Sequence, residues 1–126
     1  MAKNFEKRIK HDVKIDLVKI KDSNPESEGN FITAHLKKNH SFNIAMSEDG
    51  EFLTSQGLAL LFKSRPEPIT FIIGGPGELS DKVKKKSNMT LSLSSMTLTH
   101  EMAKIFLLEQ IYRAISILKN SKYHKD

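Results

Sequence analysis

Two hydrophobic rhythms divide the chain. Val13, Ile15 and Leu17 alternate with Lys14, Asp16 and Val18 and the run reaches Ile20, a period of two that predicts a strand closed by the polar stretch Lys21 to Ser27. Glu28 to Lys38 then sets Phe31, Ile32, His35 and Leu36 at helical spacing. Phe42 to Met46 reads as a short strand ended by Ser47-Glu48-Asp49-Gly50, where Asp-Gly marks a turn. Thr54 or Ser55 can cap a helix through Phe62, because a side-chain oxygen there accepts from an amide of the first turn; Pro66 and Pro68 stop it. Ile69 to Ile73 is a nearly continuous apolar run, the pattern of a strand covered on both faces in a parallel sheet, and it leads into Gly74-Gly75-Pro76-Gly77-Glu78. Ser80 caps a short helix to Lys86, and Met89, Leu91 and Leu93 alternate with Thr90, Ser92 and Ser94 as the last strand.

Thr99 opens a long helix. From His100 to Lys119 its apolar positions cover more than one face, and a helix apolar on two sides needs two partners. One side covers the sheet; the other most simply meets a second subunit, with Ile111 and Ile115 one turn apart at a homodimer interface. Strands alternating with helices predict an α/β domain with a mostly parallel sheet. A further helix hint, Phe5, Arg8 and Ile9, has no strand before it.

Composition narrows the function classes. At 126 residues, 38% hydrophobic and 28% charged, the chain reads as one globular domain over 1–126. No stretch approaches a membrane span and the start lacks the apolar segment of a signal peptide, so a cytoplasmic protein with no membrane partner is expected. Zero Cys excludes disulfides, thiolate zinc sites and a cysteine nucleophile. A net charge of +5 and a pI near 9.4 favour a polyanionic partner. Lys82, Lys84, Lys85 and Lys86 form one basic run and Lys119, Lys122 and Lys125 decorate the C-terminus, as phosphate contacts or as solvated faces.

The candidate chemistry lies in three places. The glycine loop follows a buried strand, where backbone amides can approach a ligand; it is also a plain turn, and it matches neither a Walker A loop nor the dinucleotide pattern. Among the five histidines no His-x-x-x-His pair exists, so no metal is expected. The stretch Leu91 to His100, with its small hydroxyls and Met96, suits a flat adenine and a thioether chain, or is a strand end plus a helix cap.

Four segments in order, Phe71-Ile72-Ile73-Gly74-Gly75-Pro76, Leu91 to His100, Leu107-Leu108-Glu109-Gln110-Ile111-Tyr112-Arg113-Ala114, and Tyr123-His124, resemble the RlmH family of SPOUT-class methyltransferases. The likeness runs from about Phe5 to the end. It implies an α/β fold with a C-terminal trefoil knot and methylation of N3 of a pseudouridine in large-subunit ribosomal RNA. The methyl donor implied is S-adenosylmethionine and the substrate particle the assembled ribosome. Matching the motifs puts Met46, Gly74, Leu93, Ser94, Ser95, Met96, Thr97 and Leu98 around the cofactor. Arg113, His124 and Tyr123 fall on the family's RNA and active-site positions, with His124 first and His100 second as acceptor of the N3 proton.

Three departures accompany the resemblance: the order Gly74-Gly75-Pro76-Gly77-Glu78 where the family usually reads Gly-Gly-Pro-Glu-Gly, Lys104 where relatives often carry Arg, and the absence of the family's first strand ahead of the helix near Phe5. Two other function classes stand beside the enzyme reading: a non-catalytic RNA-binding relative, and a SPOUT methyltransferase acting on transfer RNA.

Overall fold

The apolar run from Ile69 becomes the strand around which the other elements are arranged. In a computed structural model, which describes residues 15–20, 25–36, 40–74, 79–94, 96 and 98–119, the run is β3 (Ile69–Gly74). It pairs with β1 (Ile15–Ile20) on one side and β2 (Phe42–Phe52) on the other. With β4 (Met89–Ser92) beyond β2, the sheet has the order β1-β3-β2-β4 and every pairing is parallel, as predicted.

Among the described residues four helical segments connect the strands or follow them: α1 (Pro25–Phe31), prolonged by a π-helical turn (Ile32–Leu36), then α2 (Ser55–Ser64), α3 (Asp81–Lys86) and α4 (His100–Leu118). Their starts follow the capping chemistry. Thr54 Oγ1 accepts from Gly57 N at 2.9 Å, Ser80 Oγ from Val83 N at 3.4 Å and Thr99 Oγ1 from Met102 N at 3.2 Å. Between the two caps open in the sequence for α2, the structure selects Thr54.

Strand order decides which face each helix covers. The β1-to-β2 and β3-to-β4 connections run toward the β4 edge and the β2-to-β3 connection runs back, so right-handed crossovers put α1 and α3 on one face and α2 on the other. The buried clusters agree. Ile69, Phe71 and Ile73 of β3 join Leu58 and Phe62 of α2 and Leu107, Leu108 and Ile111 of α4. Ile72, pointing the other way, joins Phe31 and Ile32 with Val83 of α3.

Three expectations change. First, α1 begins at Pro25, where a missing amide and fixed φ suit a first turn, rather than at Glu28; His35 is exposed, and its ring stacks on that of Phe31 with centroids 4.7 Å apart. Second, the strand expected to end at a turn after Met46 resumes. Leu91 of β4 pairs with Met46 and again with Glu51, and Phe52 pairs with Ser92, so 47–50 form an excursion within β2 rather than its end. Third, Ile111 and Ile115 are 0% and 2% exposed within the single chain, which makes them core rather than interface. The apolar side chains that α4 leaves outside are Met102, Phe106 and Leu118. Among the described residues no helix is long and apolar enough to cross a membrane. The N-terminal helix hint and Val13 lie outside the described residues.

Candidate active site

Parallel strands deliver their carboxyl ends, and the loops that follow, to one edge of the sheet, where open α/β sheets bind ligands. That edge gathers three stretches far apart in sequence. Gly74 ends β3 opposite Ile20 of β1, Met46 of β2 pairs with Leu91, and Leu93 and Ser94 follow directly on β4. Met46 and Leu93 pack against the same α2–α4 cluster, so they share a face as well as an edge.

The turn after β4 is held by its own hydroxyls. Ser92 Oγ donates to the Ser94 carbonyl at 2.9 Å, and Ser94 Oγ accepts from Met96 N at 3.0 Å. Hydroxyl-rich composition here serves local backbone geometry first, competing with strand continuation. Beyond the turn the Met96 side chain is 74% exposed and Leu98 half-buried.

On the same face a cleft of about 240 Å³ opens between the resumed end of β2, the start of α2, β4 and α4. That is below the roughly 300 Å³ at which small-molecule sites begin, so it accepts part of a ligand rather than all of one. Leu93 lines it; Met46 and Gly74 do not. Phe52 and Phe106 stand at its wall, 62% and 41% exposed, and its polar groups are the hydroxyls of Thr54, Ser55 and Ser92 and the amide of Gln110. Among the described lining residues no side chain carries a charge, a donor set that fits a neutral heteroaromatic ring, a ribose or an apolar chain.

Arg113 sits one turn further along α4. Its Nε donates to Glu109 Oε2 at 3.1 Å and Oε1 at 3.3 Å, and Nη2 donates to Oε1 at 3.2 Å. Both side chains are 27% exposed. Sequence reasoning singled out Arg113 but not its partner, although a Glu four residues before an Arg on one helix was a readable signal. It gave Ser55 only a possible capping role; the structure makes its hydroxyl a donor to Gln110 Oε1 at 2.7 Å.

The remaining candidates divide by position. His100 is the first residue of α4, with its side chain outside the described part; Ser95, Thr97, Tyr123 and His124 lie outside the described residues. The basic run is split by burial. Lys84 is 15% exposed and lies 3.7 Å from Asp49, whereas Lys82, Lys85 and Lys86 are exposed. Among the described residues no group of His, Asp and Glu is placed to hold a metal ion.

The family pattern described as a predicted SPOUT methyltransferase matches residues 1–124. The ribosomal RNA large subunit methyltransferase H of Coprothermobacter proteolyticus is 36% identical over 128 residues, which take in 98% of this chain and 86% of that one. The protein of the same name from Syntrophotalea carbinolica is 38% identical over 139 residues, again 98% and 86% of the two chains. The chain belongs to the RlmH family of SPOUT methyltransferases. A solved structure of a probable methylase family protein from Haemophilus influenzae Rd KW20 aligns with a TM-score of 0.61 over 90% of this chain and 71% of its own, at 13% identity, a likeness of fold. Within the RlmH family frame, the edge formed by Gly74, Met46 and Leu93 is the candidate cofactor side of the site; Leu93 is shared with the neutral cleft, which Gln110 lines, and Arg113 follows Gln110 along α4.

Proposed function

We propose that this RlmH-family chain uses S-adenosylmethionine to methylate N3 of a pseudouridine in large-subunit ribosomal RNA, on the assembled ribosome, as a cytoplasmic homodimer. One observation carries the reading: Gly74, Met46 and Leu93, three of the positions that the family match puts around the cofactor, lie at the carboxyl edge of one parallel sheet, and Leu93 also lines the neighbouring neutral cleft.

When bound, S-adenosylmethionine supplies an electrophilic methyl group for in-line displacement. The chain's contribution is then mostly placement, since orienting two reactants accounts for much of such a barrier. Gly74 and the segment 93–98, read as the knotted loop, hold the cofactor, and Met46 closes the apolar side. His124 accepts the N3 proton, with His100 as the second choice and Tyr123 beside the base; an imidazole suits proton transfer near neutral pH. Arg113 steadies negative charge on the base carbonyls. The exposed Met102 and Phe106 of α4 are the apolar surface left for a second copy, whose tail brings its His124 to this site. Exposed Lys82, Lys85 and Lys86 supply sequence-independent attraction to phosphates.

Nucleoside mass analysis tests the reading directly. Purified ribosomes and transfer RNA are incubated separately with the protein and S-adenosylmethionine, alongside calorimetric titration of the cofactor. The expected result is cofactor binding and a single added methyl on a pseudouridine of the large-subunit RNA. Methyl gain on transfer RNA alone would move the chain to the other SPOUT substrate class, and RNA binding without cofactor binding would make it a non-catalytic relative.

A further inference from the structure

Arg113 does not stand alone on α4; it belongs to a chain of side-chain hydrogen bonds that reaches α2. Ser55 Oγ donates to Gln110 Oε1 at 2.7 Å, Gln110 Nε2 reaches Glu109 Oε1 at 3.4 Å, and Glu109 takes Arg113 on both carboxylate oxygens at 3.1–3.3 Å. The first bond is short and spans 55 residues of sequence; the second is long and weak; the third is charge-assisted and forked. Ser55 and Gln110 also line the neutral cleft, so the far end of the chain is in contact with whatever enters there.

We infer that Glu109 is a positioning residue, which fixes the orientation of the Arg113 guanidinium for the methyl acceptor, and that the Ser55–Gln110 hydrogen bond braces it from α2. The physical case rests on side-chain freedom. A long arginine on a helix surface, 27% exposed, has many rotamers, and a forked carboxylate one turn back selects among them. Glu109 itself is oriented by the neighbouring Gln110 amide, whose oxygen is directed at Ser55 and whose nitrogen is thereby turned to the carboxylate. The fork itself lies within α4, and the Ser55–Gln110 bond adds a brace from α2. Charge neutralisation by Glu109 also leaves Arg113 a directional donor rather than a strong phosphate attractor, which suits contact with base carbonyls more than with the RNA backbone. The inference rests on the proposed function, in which Arg113 faces the base.

The test is a double-mutant cycle read by single-turnover methylation of ribosomes, with KM, maximal rate and cofactor affinity determined separately. Glu109→Gln keeps the shape and removes the charge. It is expected to lower the maximal rate roughly 10- to 100-fold, the scale of a misplaced group, while cofactor affinity stays at the wild-type value. In an Arg113→Ala background the same change is expected to do nothing further, because a residue acting through another has no effect once that other is gone. If Glu109→Gln does not fold, Glu109→Asp, which keeps the charge but draws the carboxylate back from the guanidinium, reads the same coupling with a smaller loss. A wild-type maximal rate in these variants while Arg113→Ala is impaired, or losses that add across the cycle, overturns the positioning role and leaves the functional reading intact. A wild-type rate for Arg113→Ala itself overturns both.

Discussion

A Cβ atom on Gly50 would stand 2.6 Å from the carbonyl carbon of Leu91 and 2.7 Å from its amide nitrogen. No real side chain tolerates that approach, and the atoms in the way are backbone, which cannot swing aside. The contact explains how β2 leaves the ladder after Met46 and returns to it at Glu51: the excursion has to pass flush against β4. Gly50→Ala should therefore destabilise the protein by at least the 1–3 kcal/mol usual for overpacking, roughly speaking, and free Phe52 from its pairing with Ser92. Urea denaturation measures the first effect. Wild-type stability in the alanine variant would mean that the excursion re-forms without touching β4.

The same glycine shows where sequence reading stops. β3 was legible because a strand with neighbours on both sides and helices over both faces needs apolar residues at nearly every position, and Ile69 to Ile73 provide them. The caps at Thr54, Ser80 and Thr99 were legible because they act within three residues. Asp49-Gly50 misled because a turn and a close backbone crossing both call for glycine, and only the position of Leu91, far away in sequence, separates the two. Of the candidate site, Gly74 and Leu93 come from quoted motifs and Met46 from the wider family match, and the structure brings the three to one sheet edge. The cleft could not, since Ser55 and Gln110 meet through tertiary packing of α2 on α4.

The core side of α4 predicts how two kinds of substitution differ. Ile111 is fully buried, and Ile111→Ala should cost about 2–5 kcal/mol through lost burial and the cavity left behind. Met102 and Phe106 are exposed, so changing both to Glu should leave the fold near wild-type stability while light scattering shows a monomer in place of the proposed dimer. Unfolding of the Met102/Phe106 variant would instead count these side chains as part of the core.

At the ligand edge, Gly74 is the final β3 residue and its neighbour in the sheet is Ile20. Gly74→Val should abolish binding of S-adenosylmethionine, because a branched side chain occupies space that the backbone leaves to the cofactor, with the far-ultraviolet spectrum unchanged. Calorimetry on the folded variant decides the matter, and undiminished affinity would move the cofactor elsewhere.

For the tail, His124→Ala should slow single-turnover methylation by roughly 10²–10⁴-fold, the range for loss of a general base, with cofactor affinity retained. A phosphate contact would behave otherwise: RNA affinity and its salt dependence would fall modestly, and the rate at saturating ribosome would hold. Running His100→Ala in parallel tells which imidazole takes the proton.

Glu28 of α1 is 5% exposed, and its Oε2 accepts the Ser80 amide at 3.0 Å, the residue that in turn caps α3. This buried carboxylate ties the start of α3 to α1. If α1 unravels, a charge-assisted bond of about 1.5–3 kcal/mol is lost at the residue that caps α3. Amide exchange at Ser80 should accordingly keep pace with exchange in α1 rather than with that in α4, and Glu28→Ala should accelerate it. The back of the sheet, whose cluster includes Ile20 opposite Gly74, would then tie the stability of the cofactor edge to the packing of α1 and α3.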